Sequence, residues 1–162
     1  MLYDSVIEPV TTILDFQNIP YIYKSTDPKY GLDCFTLYNF IRYKFEREIV
    51  GGFDKYYVNP VHKEIPKEFL PEICVETFGE ANGDFKTTYL PFILNDWYGT
   101  YGFSTVVKFL DKPYMITTSP SKGSSIFPLA RFQGRIMRTW DLRTCQFNRL
   151  EKVNNFYGLD LC

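Results

Sequence analysis

Apolar residues recur at helical spacing in the first half of the chain and alternate in strand fashion in the second. Leu2 to Phe16 carries Val6, Val10, Ile13 and Leu14 on roughly one helical side, with Pro9 disturbing its first half. Asn18-Ile19-Pro20 ends that helix, because the residue before proline avoids the helical region. Tyr21-Ile22-Tyr23 reads as extended and Ser25-Thr26-Asp27-Pro28 as a loop. The clearest helix follows. Cys34, Leu37, Tyr38, Ile41 and Phe45 form one apolar stripe, Asp33 is suited to cap its start, and Gly51-Gly52 is the expected stop. Residues 53 to 66 read as a long loop and Pro71 to Phe78 as a short helix stopped by Gly79.

Strands are expected over Thr88 to Leu94, Thr105 to Leu110 and Tyr114 to Thr118, the last two joined by a turn at Asp111-Lys112-Pro113. The aromatic and glycine-rich run Trp97 to Phe103 lies between the first and second. Ser119 to Ser125 reads as a turn-rich loop, with no spacing suited to a phosphate cradle. Ile136 to Leu142 is the last expected strand. Helices followed by antiparallel strands predict an α+β domain over 1 to 147, with 148 to 162 as a C-terminal tail.

Composition narrows the functional classes. A net charge of −1 provides no general basic field for nucleic acid or an anionic membrane. Aromatic residues make up 19% of the 162, a content that suits an extensive protein interface as well as a core. No stretch approaches the roughly 18 apolar residues needed to span a bilayer. The start Met1-Leu2-Tyr3-Asp4-Ser5 lacks the basic and apolar regions of a secretory signal. Cysteines at 34, 74, 145 and 162 show no CxxC spacing, and the chain has one histidine, so neither a zinc site nor a cofactor is expected. The thiols are read as reduced, in a protein made in a cytoplasm.

Cys34 is the candidate for chemistry. A helix start favours negative charge and so favours a thiolate, the reactive form of cysteine. On position alone, a cysteine leading an apolar stripe is a core residue. His62, in Asn59-Pro60-Val61-His62-Lys63, reads as a loop histidine, with a displaced general base as the alternative.

The order of motifs resembles the NlpC-type peptidases, papain-like cysteine hydrolases of peptidoglycan stem peptides with a branch in bacteriophage tails. Pro20-Tyr21 stands where that family has a Gly-x-Pro-Tyr step, and Gly31-Leu32-Asp33-Cys34 matches its Gly-x-Asp-Cys start of the nucleophile helix. Thr105 to Asp111 resembles the His-Val-Gly-Ile-Tyr strand and turn, Tyr114 to Thr118 the paired strand, and Phe127 to Ile136 the closing segment of the phage-tail branch. The resemblance implies a papain-like fold with N-terminal helices on an antiparallel sheet.

It also implies a loss. The catalytic histidine of the family falls at Thr105, or at Ser104 if the register slips by one, and the second histidine falls at Thr117. Phe35-Thr36 follows the cysteine where small residues or Trp-Gly are usual, and the family's Gly-Asp-Leu strand is missing. The expectation is therefore a catalytically degenerate structural component of a phage tail, contacting other virion proteins, in multiple copies if the tail demands it, through aromatics such as Trp97 and Tyr101. The alternative is a working hydrolase or acyl transferase with Cys34 as nucleophile and His62, or a neighbouring chain, supplying the base.

Overall fold

The computed structural model describes residues 13–45, 47–50, 70–97 and 100–142. Of the expected N-terminal helix only a 3-10 turn, Ile13–Phe16, falls in this range. Helix α1 spans Cys34–Lys44 and α2 Leu70–Phe78. Five strands follow: β1 Phe92–Trp97, β2 Thr100–Phe109, β3 Lys112–Ser119, β4 Gly123–Pro128 and β5 Ile136–Trp140. A short helix, α3 Leu129–Phe132, and a 3-10 turn, Gln133–Arg135, carry the chain from β4 to β5. The strands form one antiparallel sheet in the order β4-β3-β2-β1-β5. The α+β class holds among these residues.

Side chains alternate across the sheet, and the two faces bury different sets. Phe92, Leu94, Phe103 and Trp140 pack with Phe35 and Tyr38 of α1, while Val107 and Ile116 pack with its Leu37 and Ile41. The opposite face carries Ile93 and Val106 under Leu129. Much of the aromatic content is therefore spent inside. The Phe92 ring lies 5.0 Å from Phe103, 5.0 Å from Tyr38 and 5.2 Å from Phe78 of α2. Trp140 is fully buried, and its indole N–H donates to the Gly79 carbonyl at 2.8 Å, tying the end of α2 to β5.

Several boundaries differ from expectation. Helix α1 ends at Lys44, before Gly51-Gly52, which lie outside the described residues. The chain turns early because buried groups on α1 hold it. Asn39 donates to the Val50 carbonyl at 2.9 Å and accepts from the Val50 N–H at 2.8 Å, and the Arg42 Nε donates to the Glu48 carbonyl at 2.6 Å. Replacing Asn39 with Ala strands both Val50 groups in the interior. Unfolding by urea should show a loss of about 2 kcal/mol, given the cost of unpaired buried polar groups.

The first strand starts at Phe92 rather than Thr88, because Leu90 takes a positive φ of 48° ahead of Pro91. The hairpin is shorter than expected. Leu110 and Asp111, at φ 51° and 65°, form a two-residue loop, and Lys112 already pairs with Phe109. The loop expected over Ser119 to Ser125 contains the start of β4, where Ser119 pairs with Gly123. The last strand stops at Trp140. The expected loop over 53 to 66 and the tail over 148 to 162 lie outside the described residues.

Candidate functional site

The start of α1 is built by a segment clasped on both sides. The Leu32 N–H donates to the Pro20 carbonyl at 2.9 Å, and the Ile22 N–H to Leu32. On its other side, the Asn18 N–H donates to the Ser124 carbonyl and the Ser124 N–H to Ile19, both at 2.9 Å. Gly31 is required where the segments of this clasp meet, since a Cβ there would lie 2.7 Å from the Pro20 oxygen.

Asp33 then caps the helix. Its Oδ1 accepts from the Phe35 and Thr36 N–H groups at 2.9 and 3.0 Å, and the Thr36 Oγ1 accepts from the Asp33 N–H at 2.8 Å, a complete capping box. The second carboxylate oxygen accepts the Lys24 N–H at 2.8 Å. Asp33 is buried, and its charge is held by backbone donors. It acts as a cap and also as a fixed negative charge beside the next residue.

That next residue is Cys34. As a residue it is partly exposed, but its side chain packs against the apolar cluster of Phe35, Tyr38 and Cys74. Burial pushes its thiol well up from the ordinary value, and the Asp33 carboxylate pushes in the same direction. The backbone N–H groups of Cys34 and Phe35 favour the thiolate, with smaller effect. The helix start thus fails to activate this cysteine. Tyr23 stands close by, its hydroxyl also raised, by burial first and then by Asp33 and Cys34.

The sheet presents Thr105 to the helix. It sits between Phe103, whose ring lies 5.1 Å from Phe35, and Val107, which packs with Leu37 and Ile41. Thr105 pairs with Ile116, so strand alternation puts Thr118 on the same face and Thr117 on the other. Thr117, the position expected for the second histidine, pairs with Ser104 and donates to the Phe103 carbonyl at 3.3 Å. Thr118 takes the place facing α1. Its position was within reach of sequence reasoning, because a two-residue hairpin loop at Leu110-Asp111 sets which residues share a face. Ser104, the other position considered for the histidine, faces away from α1 and donates to Asn95 Oδ1 at 2.6 Å.

His62 lies outside the described residues. The Trp97 backbone pairs with Thr100 at the end of β1, and its side chain lies outside what is described. Tyr101 is half-buried and packs on the Phe35 cluster, so it contributes to the core more than to an open surface. Large apolar side chains are exposed at Leu14, Ile22, Tyr30, Leu110 and Met137 among the described residues. Among the described residues, no three His, Cys, Asp or Glu side chains are grouped to hold a metal ion. No described helix is long and apolar enough to cross a membrane. No family model, curated protein or solved structure matches this chain.

Proposed function

We propose that this chain is a catalytically degenerate NlpC-type domain that works by protein contact, as a structural component of a bacteriophage tail. The observation that carries the reading is the state of Cys34. A nucleophilic cysteine requires a lowered thiol pKa and a base within hydrogen-bond reach. Cys34 is pushed the opposite way by burial and by Asp33, and the sheet position facing its helix offers the hydroxyl of Thr105. A threonine cannot take the thiol proton at neutral pH and return it to a leaving amine. The resemblance in the order of motifs supports the family, and through its phage-tail branch the setting in a virion. The exposed Ile22 and Tyr30, held on a clasped segment, suit a contact surface.

Incubation with peptidoglycan stem peptides, followed by mass spectrometry, should give no cleavage, with wild type indistinguishable from Cys34→Ala. Alkylation of Cys34 by iodoacetamide should stay slow from about pH 6 to about pH 9, where an activated thiol would already react. Cys34→Ala should support tail assembly at the wild-type level. Peptide cleavage lost in Cys34→Ala would reject this reading and favour the hydrolase, whose base would then be sought at His62 or on a neighbouring chain.

A further inference from the structure

Several buried hydroxyls of the described sheet are hydrogen-bonded within the protein. Ser124 donates to the Phe16 carbonyl at 2.5 Å and accepts from the Ile19 N–H at 2.8 Å. Ser104 and Thr117 are bonded to Asn95 and Phe103. The Thr105 and Thr118 hydroxyls have no partner among the described residues, although the two residues are only 1% and 8% exposed. Leaving a buried hydroxyl unpaired is unfavourable, so two on one face call for a physical account.

They lie together. Thr105 pairs with Ile116, so Thr118 is its diagonal neighbour on the face turned to α1. Sheet geometry sets such neighbours roughly 6–7 Å apart at Cβ. Two hydrogen bonds of about 2.8 Å through one intermediate oxygen close that span. Both hydroxyls can donate and accept, which suits a molecule that does the same.

We infer that Thr105 and Thr118 form an internal hydration site, holding one ordered water between the sheet and helix α1. The water gives each hydroxyl its missing bond and takes two partners in return, within the range that holds buried water in proteins. The site keeps a polar floor beneath an otherwise aromatic and aliphatic layer. It stands independently of whether the chain hydrolyses anything.

The test uses Thr105→Val, Thr118→Val and the double variant, which keep the branched shape and remove only the hydroxyls. Nuclear Overhauser contacts between a long-lived water and the γ-methyls of Thr105 and Thr118 are expected in the wild-type protein. In each single variant the contact at the remaining threonine should weaken or vanish, and the melting temperature should fall by about 2–4 °C. Absence of the water contact in the wild type overturns the inference, whatever the stability does. Valine variants more stable than wild type also overturn it, since they would show hydroxyls buried dry.

Discussion

Gly123→Ala should be the most damaging single methyl in the described part of the molecule, lowering stability by about 4 kcal/mol. Gly123 opens β4 at a φ of +73°, where a residue with a Cβ loses roughly 1–2 kcal/mol. The added carbon would also stand 2.5 Å from the Ile19 carbonyl oxygen, a backbone atom with no rotamer to change. That oxygen accepts from the Ser124 N–H at 2.9 Å, so relief by movement breaks the clasp. The neighbouring bonds, Asn18 N–H to Ser124 and Ile19 N–H to the Ser124 hydroxyl, are lost with it, at about 1 kcal/mol each. Gly134→Ala is the control. A Cβ at Gly134 meets nothing within 4 Å, and the change should stay within about 0.5 kcal/mol. Urea titration of the two variants side by side would decide the matter; equal stability would mean that the clasp does not hold residues 18 to 22 as described.

The second large effect is alkaline. Burial pushes the Cys74 thiol from 9.0 up to about 12, and Cys34 is raised in the same direction. Raised thiols keep their protons in the folded state while the unfolded chain releases them from about pH 9 upward. Their contribution to stability is therefore complete below pH 9.0 and shrinks as pH climbs towards 12. The slope is about 1.4 kcal/mol per pH unit for each thiol, and for Cys74 the total approaches roughly 4 kcal/mol at the upper end. Unfolding free energies measured from about pH 8 to about pH 11 should fall steeply above pH 9 in the wild type. In Cys74→Ala the starting stability is lower, because a buried side chain is truncated, but the fall should be shallower. A wild-type profile as flat as that of Cys74→Ala would show that these thiols ionise freely in the folded protein.

Helix α1 was legible in the sequence because cap, stripe and first turn all agree locally: Asp33, Thr36 and the buried Leu37, Tyr38 and Ile41 behave as their spacing demands. Strand β4 was not legible, because the side chain it turns inward at Ser124 is polar. Its burial is made acceptable by Phe16 and Ile19, more than 100 residues upstream, and no local pattern reports that. Thr105 faces α1 while Thr117 faces away, because in a strand one residue of register is the whole difference between faces. The state of Cys34 was the least readable feature. Its place on the apolar stripe reads as core, and its place at a helix start favours a thiolate. The burial that reverses this comes from an aromatic cluster assembled from both halves of the chain.

The clasp around residues 18 to 22 also carries a consequence for synthesis. The bond between the Ile19 N–H and the Ser124 hydroxyl spans 105 positions, so a chain emerging from the ribosome has its cysteine helix long before it has the strand that anchors the helix start. Contacts this distant form late. Throughout that interval the Cys34 thiol is without the sheet that covers it, and is open to reagents that the finished protein excludes. Reactivity at Cys34 in ribosome-bound chains of increasing length would then act as a clock, falling when residues beyond Ser124 clear the exit tunnel.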